Sequence, residues 1–149
     1  MKVWDGSQWV RADAGKVLQV VSNTTGSQTN SSTVSTWLSV GLSATITPTS
    51  SSNKILILSH NTVRTSGGGQ AAFTIFRDAT NLGDSTVGLQ WAVSAGGELT
   101  TARSIAYLDS PATTSAITYS ANVRQEQSGF ITSNRSGAVS SIVLMEIAG

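Results

Sequence analysis

The sequence predicts an all-β fold, an antiparallel β-sandwich or jelly roll preceded by a short β-hairpin. Apolar residues recur with a period of two along most of the chain, and no stretch carries the 3.6-residue period of a helix. Turn signals built from Gly, Pro, Asn, Asp and Ser come roughly every 8 to 12 residues, the spacing of a sandwich. The 149 residues include 24 Ser and 19 Thr but only 11% charged residues, so solubility rests on hydroxyls, and Thr with Val and Ile suits a pleated, half-buried surface. Connections this short hold no crossover helix, which excludes a parallel βαβ fold. A hydrophobic content of 39%, regularly placed, excludes a disordered chain.

Taken in order, the elements divide into an N-terminal attachment segment, 1–14, and a sandwich domain, 15–149. Lys2-Val3-Trp4 and Gln8-Trp9-Val10 flank Asp5-Gly6-Ser7, and a DG turn between apolar residues is a strong hairpin signal. An isolated two-stranded ribbon is marginal in water, so its two indoles must dock, either on their own domain or on a partner. Val3, Trp4, Trp9 and Val10 are therefore candidate attachment residues. Ala12 to Gly15 leads into a strand at Val17–Val21, and Asn23 to Ser32, without apolar anchors, reads as a mobile polar loop.

From Thr33 to Thr47, Val34, Leu38 and Val40 precede Gly41 and Leu42, Ala44 and Ile46 follow it, which marks Gly41 as a bulge. Pro48 to Ser52 turns the chain into Lys54–His60, and Gly67-Gly68-Gly69 leads to Ala71–Arg77, with Phe73 and Ile75 on one face and Phe76 on the other. After a turn at Asn81–Asp84, Val87, Leu89, Trp91, Val93 and Ala95 alternate with Thr86, Gly88, Gln90 and Ser94, the pattern of a strand with one wet face. Gly96-Gly97 precedes a strand at Thr101–Leu108, and Ser110-Pro111 turns into Ile117, Tyr119, Ala121 and Val123. A loop at Gln125–Gly129, a short strand at Phe130-Ile131, a turn at Asn134–Gly137 and a strand at Val139–Ile147 complete nine or ten strands.

Two strands do not alternate. Ile55 to Leu58 and Ile142 to Ile147 are apolar on both faces, and an antiparallel strand of that kind must be covered on both. A domain of this size has one core, so the second face is expected to meet another subunit. Ile55, Leu56, Ile57, Leu58, Ile142, Leu144 and Ile147 are the candidate subunit-interface residues.

The residues give little support to chemistry. His60 is the lone histidine, no G-x-S-x-G elbow is present, and the reading is a non-enzymatic chain without catalytic residues, cofactor or bound metal. Cysteine is absent, which excludes disulfides and thiolate metal sites. The eight acidic residues do not fall at metal-loop spacing, and Asp78 with Asp84 is the one place where loops could offer calcium two carboxylates. Nine basic residues are scattered singly for a net charge of +1, so nucleic acid is not an expected partner. No run reaches the length of a membrane span, and the N-terminus lacks the apolar run of a signal peptide, so the chain is expected to be made in a cytoplasm.

Gly15–Ser22, Leu42–Leu58, Phe73–Gly83 and Ser140–Gly149 resemble segments of a β-rich domain of tail-fibre and appendage proteins of tailed phages, especially marine ones. The leader Val3–Val10 is similar to hairpin connectors in phage fibre proteins, although the long shaft or coiled coil of a fibre is missing. The resemblance covers residues 15 to 149 and implies a homotrimeric β-sandwich. It also implies assembly in the host cytoplasm, display on the exterior of a virion among other virion proteins, and loops that touch host surface glycans. Loops at Asn23–Ser32, Ser66–Gly69 and Gln125–Ser128 are the candidates for that contact.

Overall fold

A computed structural model of the chain describes every residue except 1, 5, 12–14, 67–68, 94–95 and 128, and all the remaining side chains but those of Val10 and Arg11. The described residues form thirteen strands: β1 (Lys2–Trp4), β2 (Trp9–Arg11), β3 (Val17–Thr25), β4 (Thr29–Ser31), β5 (Trp37–Ile46), β6 (Lys54–Thr65), β7 (Gln70–Arg77), β8 (Thr80–Asn81), β9 (Gln90–Val93), β10 (Leu99–Asp109), β11 (Ile117–Gln125), β12 (Ile131–Ser133) and β13 (Ser140–Ile147). The β1–β2 pair is a sheet of its own. The larger sheet runs β3-β13-β6-β12-β4 with β10 on the far side of β6, and the smaller runs β5-β11-β7-β8 with β9 also on β7. All pairs of named strands are antiparallel, as the alternation predicts.

The core lies between the two sheets. Val40, Leu42, Ala44 and Ile46 of β5, Phe73 and Ile75 of β7, and Ile117, Tyr119, Ala121 and Val123 of β11 meet Ile55, Ile57 and Val63 of β6, Ile105 of β10, and Ile142 and Leu144 of β13. Burying each Val, Leu, Ile or Phe side chain contributes about 1.5–3 kcal/mol, so these strands are held by their inward rows. The Gly41 bulge is present, with φ of 74°. Ser120 pairs with Ser43 and Asn122 with Ser39, so β5 spends two more residues than β11 across it. Two extra residues preserve the phase, and Val40 and Leu42 therefore both point inward.

Two buried polar clips close the sandwich. Glu146 of β13, fully buried, accepts hydrogen bonds from Gln19 Nε2 (2.6 Å), Thr49 N (2.6 Å), Thr49 Oγ1 (2.8 Å) and Asn53 Nδ2 (2.6 Å), which ties the Pro48–Ser52 turn to β3 and β13. Asp109, at the end of β10, takes Arg77 Nη1 at 2.9 and 3.0 Å and the Tyr119 hydroxyl at 2.6 Å. Arg77 and Tyr119 belong to the smaller sheet, so this clip joins the two layers.

Several expectations need correction. Asn23–Ser32 is not one loop: β3 continues to Thr25 along β13, and Thr29–Ser31 pairs with β12. Ladder hydrogen bonds hold this segment in place of apolar anchors. The pattern from Thr86 to Ala95 does not make one strand. Asp84 Oδ1 takes the Thr86 and Val87 N–H groups at 2.8 and 2.9 Å, the chain turns at Gly88, and only Gln90–Val93 pairs with β7. Ala92 points inward there, while Val87 and Val93 are exposed, the reverse of the expected phase.

A hairpin turn at Asp78-Ala79 joins β7 to β8, and the expected turn at Asn81–Asp84 follows it, with Gly83 N donating to Asn81 Oδ1 at 2.9 Å. The expectations on Asp5, Ala12–Ala14, Gly67-Gly68, Ser94-Ala95 and Ser128 lie outside the described residues.

Candidate assembly surfaces

The N-terminal hairpin has the expected register, Lys2 opposite Arg11, Val3 opposite Val10 and Trp4 opposite Trp9. The two indoles meet edge to face, with centroids 5.7 Å apart. Yet Trp4 is 56% and Trp9 65% exposed, and Val3 is exposed as well. The reading in which the hairpin buries its indoles on its own domain is not what the structure shows.

The cross-strand register of the larger sheet resolves the two-faced strands. Ile55, Ile57, Ile142 and Leu144 are fully buried in the core, so these four of the seven interface candidates are occupied within one subunit. Leu56, Leu58 and Ile147 point the other way. Leu108, Leu56, Met145 and Val20 form one row across β10, β6, β13 and β3, and Ala106, Leu58, Val143 and Ser22 form the next. The row after that is polar, without Asp, Glu, Lys or Arg: Ser104, His60, Ser141 and Thr24. Leu58 is 38%, Leu108 51% and Val20 57% exposed, an unusual density of apolar side chains on one solvent-facing sheet.

Sequence reasoning missed Val20, Ala106, Val143, Met145 and Leu108 as members of this face. The phase of Ala102, Ala106 and Leu108 along β10 was the available signal. His60 sits mid-strand on the same outer face as Leu56 and Leu58, its Nδ1 3.3 Å from Ser104 Oγ.

At the far end of the same sheet the outer face changes character. Arg64, Thr132 and Asn30 lie in one row across β6, β12 and β4. With Gln28, Ser31, Ser32 and Phe130 they line a groove of about 430 Å³. The Arg64 guanidinium lies 4.9 Å from the Phe130 ring centroid and is paired with Glu98, Nε to Oε2 at 2.9 Å. Loss of solvent, and then the nearby Arg135 guanidinium, pull the pKa of Arg64 below its ordinary value.

Among the described residues no three His, Cys, Asp or Glu side chains stand close enough to hold a metal ion. Asp78 and Asp84 are engaged with the backbone: Asp78 Oδ1 accepts from Thr118 N at 2.9 Å, and Asp84 caps its own turn. The two Thr86 and Val87 N–H bonds, the leading influence, hold the Asp84 carboxyl below the ordinary carboxylate range against the upward pull of lost solvent, with Arg124 adding to the lowering. No described helix is long and apolar enough to cross a membrane.

No protein-family model and no curated protein matches the chain. Among solved structures it is similar to the VP2 protein of infectious bursal disease virus. One subviral particle structure of VP2 is 16% identical with a TM-score of 0.48, over 97% of this chain and 41% of that one. The T13 viral particle of the same virus gives 14% identity and a TM-score of 0.49 over 97% and 39%. The chain thus spans about two fifths of the length of these proteins. At such values the fold assignment rests on the two sheets themselves.

Proposed function

We propose that the chain is a non-enzymatic structural protein of a virus particle: a homotrimeric appendage of a tailed phage, either a short fibre or spike or a capsid decoration. In this reading the N-terminal hairpin fixes it to other virion proteins and the sandwich is displayed on the exterior. The observation that carries the reading is the hairpin. Two tryptophans more than half exposed on a two-stranded sheet of their own are a costly surface to leave in water, and large aromatics of this kind anchor protein interfaces. The resemblance of residues 15 to 149 to appendage domains supplies the trimer and the phage.

The test is a binding assay on particles that lack the protein. Intact chain is expected to bind, and chain without residues 1–12, or with Trp4→Ala and Trp9→Ala together, is expected to lose most of that binding. Undiminished binding by the truncated chain would sink the attachment role. Light scattering behind size exclusion is expected to give three times the 15.4 kDa chain mass, and any other stoichiometry would remove the trimer.

One observation favours a second reading, a receptor-binding module that contacts host glycans. The groove beside β4 combines two amides, three hydroxyls, a guanidinium and one aromatic ring. That set matches the hydroxyls and the apolar face of a sugar. Arg64→Gln and Phe130→Ala are expected to weaken saccharide binding at least tenfold. A glycan array without a hit, together with normal host adsorption by particles lacking the chain, would discard it.

A further inference from the structure

We infer that the outer face of the larger sheet, centred on Leu56, Leu58, Val143, Met145, Val20 and Leu108, is covered by the corresponding faces of the other copies of this chain, gathered about the symmetry axis of the oligomer. The inference rests on the reading of the chain as a homo-oligomeric building block and specifies which surface does the assembling.

Three features of the face select a second copy as the occupant. The first is charge. The three rows from Leu108–Val20 to Ser104–Thr24 contain no Asp, Glu, Lys or Arg, and the charged outward residues of β6, Lys54 and Arg64, stand at its two ends. Near the axis of a homo-oligomer each side chain meets its own counterpart, so any charge there would face its like and be repelled. A face recognising a charged partner would carry the opposite charge, and these rows hold no Asp, Glu, Lys or Arg.

The second feature is area. With the adjoining Lys54–Ile147–Val17 row, the face covers seven residues of β6, Lys54 to His60, rising about 3.4 Å each, and four strands about 4.8 Å apart, a patch of roughly 19 by 24 Å. Two such patches remove on the order of 1,000 Å² from water, the lower bound for a specific interface. The third is registration. The apolar side chains stand in straight rows on one pleated face, as in the inner faces of a sandwich, where sheets pack at about 10 Å. The outward side chains of β6 and β13 thus gain a second apolar layer.

The test is the mass of the full chain at tens of micromolar, measured by light scattering behind size exclusion, for wild type, Leu58→Glu and Val20→Glu. Both positions are already solvent-exposed in the single chain, and far-UV circular dichroism monitors the fold. Wild type is expected at a multiple of 15.4 kDa, and both variants at 15.4 kDa with unchanged dichroism, a weakening of at least a hundredfold. Val139→Glu, on an exposed valine outside these rows, is expected to keep the wild-type mass.

A monomeric wild type would overturn the inference, and so would variants that both keep the wild-type mass. If Leu58→Glu fails to fold, Val20→Glu on the edge strand decides alone. A mass that falls only when residues 1–14 are removed assigns assembly to the hairpin and rejects the face. Particle attachment is read separately, so failure here and failure of the attachment role are distinguishable.

Discussion

Glu146 carries a negative charge into a site closed to solvent, with no ion-pair partner among the described residues. Burial pushes its carboxyl up, but hydrogen bonds from Asn53, Gln19 and Thr49 outweigh that and leave it below its ordinary value of 4.5. A carboxyl whose pKa is lower in the folded than in the unfolded chain contributes stability above the unfolded value. That contribution is lost as pH falls through the folded one. Glu146→Gln is expected to cost about 2–3 kcal/mol at pH 7, because an amide turns its own donors toward those of the clip. Urea unfolding at pH 7 and pH 3 checks this: the gap between variant and wild type should narrow in acid, and an equal gap at both would mean that the carboxyl is neutral in the fold.

The second clip behaves differently. Burial, and then the hydrogen bond to Asp109, push the Tyr119 hydroxyl far up, so it remains a donor across any working pH. Tyr119→Phe leaves Asp109 its Arg77 partner and is expected to cost only about 1–2 kcal/mol, independent of pH between 6 and 9. Glu146 shares the even-numbered phase of Ile142 and Leu144, so its inward direction was legible. Its partners were not, since Gln19, Thr49 and Asn53 come together only through the register of β3 on β13 and the fold of the turn.

At the level of elements, the strands most legible from sequence are those whose inward row is apolar and uninterrupted, such as Val40 to Ile46 of β5 and Ile117 to Val123 of β11. The segment from Asp84 to Val93 shows why alternation alone misleads: Asp84 captures two backbone N–H groups locally and bends the chain before a ladder forms. Gly88 is the pivot. Its φ of 64° is left-handed, and a Cβ there would lie 2.5 Å from the Phe73 carbonyl oxygen and 2.8 Å from Trp37 Cη2. The Phe73 oxygen also accepts from Leu89 N at 2.8 Å, so the backbone has little room to retreat.

Gly88→Ala is therefore expected to destabilise by about 2–4 kcal/mol, seen as a lower urea midpoint with an unchanged slope. A loss under 0.5 kcal/mol would show that β9 shifts freely. Polar elements such as β4 were illegible for the opposite reason: Thr29, Asn30 and Ser31 have no apolar phase to read, and only their pairing with β12 makes them a strand.

Across the whole molecule, the order of strands in the larger sheet fixes when the chain can fold. β13, the last strand, lies between β3, from the start of the domain, and β6, from its middle. Without it, Val21 of β3 loses its Leu144 neighbour, Ile57 of β6 loses the same side chain, and Gln19, Thr49 and Asn53 lose the Glu146 carboxylate that joins them. The hairpin β1–β2, by contrast, pairs with no other described strand.

These two ends should therefore respond oppositely to truncation. Removing residues 1–14 is expected to leave the urea midpoint within a few tenths molar of the intact chain. Ending the chain at Val139 is expected to abolish the cooperative transition and leave an aggregation-prone species with two unpaired strand edges. Adding a peptide of residues 140–149 should then restore native dichroism, because an edge pair awaiting one strand accepts it by main-chain pairing. A chain ending at Val139 that unfolds cooperatively by itself would show that the smaller sheet and β6–β10 form a core independent of β13. It would also move the origin of the fold's stability away from the pairing of its first and last strands.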